Sequence, residues 1–171
     1  CVRLKSVNFG NIDTGNVTNM HGVFWRCIRL ENVDVSNFNT SNVTDMGYMF
    51  YGCNSLISLD LSNFDTSKAT DVSSMFSECW KIKNINISGF DTSKVTKMWD
   101  IFRNCHELAN LDLSNFDTSN VTKMSRMFYN CRKLETLNIS NWDTQAVTDM
   151  SYMFYNCEKL TALDLNGFDT S

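Results

Sequence analysis

Proline is absent from all 171 residues. A chain without it can commit nearly every backbone N–H to a hydrogen bond, because proline alone lacks that donor. Long apolar runs are missing too. No segment reaches the roughly 18 residues needed to span a bilayer, and no charged-then-apolar signal peptide stands at the start. The chain is therefore expected to be soluble as it stands, without a membrane span. Neither sign of charge dominates: 15 Lys and Arg face 19 Asp and Glu, for a net charge of −4. Without a basic block, neither nucleic acid nor an anionic membrane is expected as a partner. Histidine is confined to His21 and His106. There is no G-x-S-x-G elbow, no phosphate loop and no H-E-x-x-H. An enzyme is not expected, nor is a cofactor or a metal.

What is present is a repeat. Cys1, Cys27, Cys53, Cys79, Cys105, Cys131 and Cys157 follow one another at 26 residues without insertion or deletion. The same register carries an unbroken phenylalanine column from Phe24 through Phe50, Phe76, Phe102 and Phe128 to Phe154. Two threonine columns also hold, one from Thr14 to Thr170 and one from Thr18 to Thr148. Six full units and part of a seventh account for residues 1–171 as a single repeat domain. One unit cannot bury its own apolar face, so neighbours must stack into a solenoid. At about 4.8 Å per coil the stack would be roughly 30 Å long.

Within a unit, Leu56, Leu59 and Leu61 follow the L-x-x-L-x-L strand pattern of leucine-rich repeats. Alternation places the leucines inward and Asp60 outward. Parallel strands are expected at 30–35, 56–61, 82–87, 108–113, 134–139 and 160–165. Val43, Met46, Met49, Phe50 and Cys53 are spaced as one helical face, so the expectation is either a short helix capped by Thr44 or an extended stretch from Val43 to Met46 with only the last turn helical; periodicity fits both. The fold class is thus an α/β solenoid, a leucine-rich-repeat-like stack of 26-residue coils with a parallel β-sheet and short helical turns.

The cysteine column reads as a ladder of buried, reduced thiols. In-register side chains oppose the near-90° torsion of a disulfide, and no C-x-x-C pair supplies metal ligands. Two columns mix Asp and Asn, one from Asp13 to Asp169 and one from Asn8 to Asp164. The first sits in Phe-Asp-Thr-Ser, where a carboxylate accepts from turn amides; the second reads as a solvated strand face. Turn and surface roles explain both without calcium. Six N-x-S/T sequons, at Asn16, Asn39, Asn42, Asn86, Asn120 and Asn138, arise from the repeat itself.

A partner must be read by the positions the repeat leaves free. On the turn these are Trp25, Tyr48, Tyr51, Trp99, Tyr129, Tyr152 and Tyr155, with Arg103 and Arg126 among them. Such residue types dominate interface hot spots, and the two densest groups are Tyr48 and Tyr51 near Trp25, and Tyr152 and Tyr155 beside Tyr129 and Arg126. The competing reading makes the tyrosines a lid over the core. The free strand-face positions, from Lys5 and Ile57 to Thr161, read as a generic solvated surface.

The run L-D-L-S-N-F-D-T-S-N-V-T-x-M-S-x-M-F-Y-N-C, as in Leu111 to Cys131, resembles the bacterial surface-protein 26-residue repeat, a branch of the BspA-like leucine-rich-repeat proteins. The match extends over the whole chain. It implies a cell-surface or secreted protein with adhesive roles and no shared catalytic residues, engaging a protein or glycan at a cell surface. The alternative is a structural spacer or fibre subunit that self-associates through solenoid ends. Neither end reads as a polar cap, so the chain is expected to be a portion of a larger protein.

Overall fold

The computed structural model describes residues 1–169. Each 26-residue period closes one coil, and coils stack in strict register, so the repeat solenoid is confirmed. Thr170 lies outside the described residues. Two stripes of parallel pairing run along the stack. The first joins Asn19, Asp45, Asp71, Lys97, Lys123 and Asp149 by one bridge per coil, without a break. The second comprises four three-residue strands: β1 (Ser58–Asp60) pairs with β2 (Asn84–Asn86), and β3 (Asn110–Asp112) pairs with β4 (Thr136–Asn138). Leu59 stands opposite Ile85, and Leu111 opposite Leu137.

Three expectations need correction here. The strands are half the expected length, because turns bound them on both sides: the Leu56 N–H returns to Cys53 O, and the Phe64 N–H to Leu61 O. Segments 30–35 and 160–165 form no strand. The single sheet is replaced by two parallel pairs, with β2 and β3 left apart. A cleft of about 280 Å³ lies between those strands. A second, of about 330 Å³, separates residues 32–36 from β1 and the loop after it.

The expected helical turn is also absent; no helix occurs among the described residues. Tyr48 and Gly52 both take positive φ, at 57° and 70°, and the same two positions do so in every coil through Tyr152 and Asn156. A left-handed residue every fourth position stops a right-handed helix. Alternate peptide groups turn along the stack instead. The N–H groups of Met46, Tyr48, Phe50 and Gly52 donate to the carbonyls of Asp71, Ser73, Met75 and Ser77 in the next coil. The intervening N–H groups of Met49, Tyr51 and Cys53 close four-residue turns within their own coil. Donors along this turn are thus shared between the next coil and the coil's own turns, which a single isolated helical turn could not achieve. Thr44 caps nothing; its N–H donates back to Thr18 O in the preceding coil.

The core follows the columns. Phe24 to Phe154 stack ring upon ring, with centroids 5.1 to 6.1 Å apart. Leu56, Leu59 and Leu61 point inward as expected. A second aromatic column, Phe38, Phe64, Phe90, Phe116 and Trp142, fills the other end of each coil. The buried threonines tie coils together: the Thr118 hydroxyl donates to Asp143 O at 2.7 Å and accepts the Asp143 N–H at 2.9 Å. Thr66 does the same with Asp91.

Replacing Phe76 or Phe102 with alanine is expected to cost about 3–5 kcal/mol in denaturant-monitored unfolding; a loss below about 1 kcal/mol would show that the stack is not core. Thr118→Val keeps the volume yet strands a buried N–H and a carbonyl. It is expected to cost about 1–3 kcal/mol, and a neutral result would assign the threonine column to packing alone.

Candidate functional site

The left-handed turn sets which side chains leave the stack. Trp25, Tyr51, Ser77, Arg103, Tyr129 and Tyr155 share one register position, and Gly22, Tyr48, Ser74, Asp100, Arg126 and Tyr152 share another. Both columns project from one face, between inward-pointing methionine and phenylalanine. The aromatics on this turn face gather at two places. In the first two coils His21 and Tyr48 rings lie 5.2 Å apart, Tyr48 and Tyr51 5.5 Å apart, and Trp25 joins His21 and Tyr48 around a recess of about 390 Å³. Trp25 is 53% exposed, with the Arg26 guanidinium over its ring. In the fifth and sixth coils Tyr129 and Tyr155 stack at 4.8 Å, with Tyr152 edge-on to Tyr155. Tyr152 is 65% exposed.

The arginines divide differently from the sequence expectation. Arg103, not Arg126, lies over Tyr129, 5.6 Å from its ring centre. Arg126 turns to Asp100, with Nε and Nη2 on its two oxygens at 2.8 and 3.2 Å, and this pairing raises its pKa. Trp99 is half-buried and stands with Lys123, Ser125, Arg126 and Asp149 about a separate recess. The aromatic groups are thus two, not one continuous surface. Between them the third coil presents Ser73, Ser74 and Ser77, all buried, and the Ser77 hydroxyl has no hydrogen-bond partner. Three coils separate Tyr51 from Tyr129, roughly 15 Å at parallel-strand spacing.

A third cluster lies on the flank of the coils and was not anticipated. Trp80 is 47% exposed and Ile57 48% exposed. Trp80 stacks on His106, with centroids 6.2 Å apart and planes inclined by 16°. Burial, with a contribution from Arg132, lowers the His106 pKa, so the ring is neutral near pH 7. The available signal was that Trp80 and Ile57 are bulky apolar residues where other coils carry polar ones, such as Asn54 and Arg132, or Lys83 and Glu135.

The carboxylates cap turns. Asp65 Oδ1 accepts the Ser67 N–H and Asp91 Oδ1 the Ser93 N–H, as expected. The second column, expected to be plain surface, does the same, with Asp60 accepting from Ser62 and Asp112 from Ser114. A third set, Asp45, Asp71 and Asp149, repeats the motif beside the unbroken bridge. Hydrogen bonds from the Ser62 backbone and side chain hold Asp60 below the usual carboxylate pKa, and those from Ser67 do so for Asp65. No group of three or more potential metal ligands occurs among the described residues. The cysteines are free thiols, with Cys27 through Cys131 buried. The Cys53 S–H donates to Phe24 O at 3.3 Å, and this contact recurs in each following coil. Burial, reinforced by neighbouring Cys27, pushes Cys53 up to about 12.

Stacked parallel coils, short strands and an inward leucine ladder define a repeat solenoid of the leucine-rich-repeat kind. The family described as "Mycoplasma protein of unknown function, DUF285" matches residues 2–88 and 72–171, and the chain belongs to it. Among solved structures, the chain is similar to a leucine-rich repeat protein from Bacteroides ovatus ATCC 8483, with a TM-score of 0.58 and 18% identity. The likeness covers 92% of this chain but 36% of that one, so this chain spans about a third of its neighbour's length. At that identity it speaks for the fold alone. None of the curated proteins is a detectable relative.

The titrating groups predict a stability plateau with two edges. The turn carboxylates have folded pKa values below the ordinary 3.8, so their contribution is complete above it and is lost as pH falls further. The thiols have folded values above the ordinary 9.0. The unfolded chain therefore loses thiol protons first, and stability declines as pH climbs from about 9 toward 12. Melting temperatures are expected to fall at both edges, and native thiol labelling at pH 8 to stay slow until denaturant is added. Rapid native labelling of more than the outer cysteines would contradict the burial.

Proposed function

We propose that the chain is a non-catalytic display module of a cell-surface or secreted protein, and that its turn face binds a protein or glycan at a cell surface. The observation that carries the reading is the gathering of repeat-breaking aromatics into two clusters, exposed Trp25 with half-buried Tyr48 and Tyr51, and half-buried Tyr129 with exposed Tyr152 and Tyr155. Ring-to-ring contacts fix the tyrosines before any partner arrives, so little of their rotamer entropy remains to be lost on binding. Tyrosine adds a hydroxyl that orients a polar ligand over an apolar contact. The columns that are invariant along the chain are consumed by stacking. The membership expected from the repeat, in the BspA-like surface proteins, agrees with this role.

The second reading, a spacer or fibre subunit, rests on the coil surfaces. Each coil offers a row of N–H groups to its follower and a row of carbonyls to its predecessor, so two copies would meet end to end by the same pairing. Sedimentation over a concentration range separates the readings, since end-to-end association would grow the particle without any ligand.

Screening the protein on a glycan array and on immobilised extracellular proteins tests the first reading. Truncating Tyr51, Tyr129 and Tyr155 together to alanine is expected to weaken any captured partner at least tenfold, about 1.4 kcal/mol, with the fold intact. Unchanged affinity in the triple variant would return the tyrosines to the role of a lid over the core.

A further inference from the structure

We propose that the flank of the third to fifth coils is a second binding site, separate from the tyrosine clusters, that takes an acidic saccharide: Trp80 stacks on the apolar face of the sugar, and Lys81 and Lys83 pair with its carboxylate. A recess of about 480 Å³ lies here, lined by Ile57, Trp80, Lys81, Lys83, His106 and Glu107.

The platform is built, not merely exposed. The Trp80 indole N–H donates to Glu78 Oε2 at 2.7 Å. Glu78 is itself fixed, since its Oε1 accepts from Arg103 Nη1 at 2.7 Å and from Asn104 Nδ2 at 2.6 Å. The indole is thereby locked at its edge while His106 supports the ring by stacking. Glu78 holds this place against its own backbone preference. Its φ is 63°, at a position that Gly52, Asn104, Asn130 and Asn156 occupy in other coils. Glycine and asparagine tolerate that region better than Glu78, or than Arg26, which shares the position with a φ of 54°.

Charge selects the ligand. Glu78 is spent on its three donors, and Glu107 is bound by Lys133 at 2.7 Å. Lys81 and Lys83 form no ion pair within 4.0 Å among the described residues, so the lining sets two lysines against the single carboxylate of Glu107, which Lys133 also holds. A flat ring with a shallow surround suits the C–H face of a sugar, which needs no deep pocket, whereas a peptide anchor does. A uronic acid combines that face with a carboxylate on one ring.

The test titrates the whole chain with oligogalacturonate, following tryptophan fluorescence and binding heat, beside a neutral malto-oligosaccharide and poly-glutamate. Binding is expected for the uronate alone, weakening as salt rises. Trp80→Ala and the pair Lys81→Glu, Lys83→Glu are each expected to lower affinity at least tenfold. Glu78→Asn relieves the strained backbone and is expected to keep the melting temperature while still weakening binding severalfold, because the indole is released. The tyrosine triple variant is expected to bind the uronate unchanged, so failure of this site and failure of the turn face are told apart. No uronate binding, equal binding by the neutral sugar or by poly-glutamate, or full affinity in Trp80→Ala would each overturn the proposal.

Discussion

Hydrogen bonds between equivalent peptide groups of successive coils set the terms for everything else in this molecule. The N–H of Phe50 reaches Met75 O, that of Phe76 reaches Ile101 O, and that of Phe102 reaches Met127 O. For this to repeat, each coil must contain the same number of residues, and the 26-residue period shows no insertion or deletion over the whole chain. A single added residue left in the ladder would slide the donors of its own coil off their acceptors and turn inward side chains outward, so it would have to be looped out. The absence of proline has the same origin, because a missing N–H in any column leaves a carbonyl of the next coil without its donor.

Side chains extend this pairing to groups the backbone leaves over. Threonine hydroxyls bridge both backbone groups of one residue in the next coil, cysteine thiols donate to phenylalanine carbonyls, and Asp or Asn at three positions caps the turns. Each task repeats with the coil, so each residue type forms a column. What breaks the columns is consequently free of structural duty. The turn-face tyrosines and the Trp80 flank both belong to this minority, and both are fixed in part by neighbours in adjacent coils. Stacking thus prepares surfaces that no single coil could hold.

The repeat, its register and the inward Phe, Leu and Cys columns were legible in the sequence because periodicity and burial coincide. The turn was misread for a definite reason. Spacings of three and four at Val43, Met46, Met49, Phe50 and Cys53 follow from any chain that reverses direction every few residues, and the left-handed turn at Tyr48 and Gly52 does so as well as a helix. Glycine or asparagine at the Gly52 position hinted at positive φ, but Arg26 and Glu78 in the same column obscured it. Strand length was overestimated because the flanking turns compete for the outer N–H groups of the Leu56 segment. The aromatic clusters lie where the sequence grouped them, while Trp80 escaped notice because it follows Cys79, outside the turn on which Trp25 and Trp99 fall. Arg126 was assigned to the tyrosines since the sequence cannot show that Asp100, one coil earlier, claims it.

The unbroken peptide columns also have a mechanical side. Their hydrogen bonds lie along the stack, so tension applied between the two ends of the chain loads them lengthwise, one coil at a time, instead of shearing many at once. Coils coupled only to nearest neighbours let go in sequence. Each one released would add up to roughly 90 Å of extended chain in place of a rise of about 5 Å. The stack is thus stiff at rest and lengthens stepwise under load.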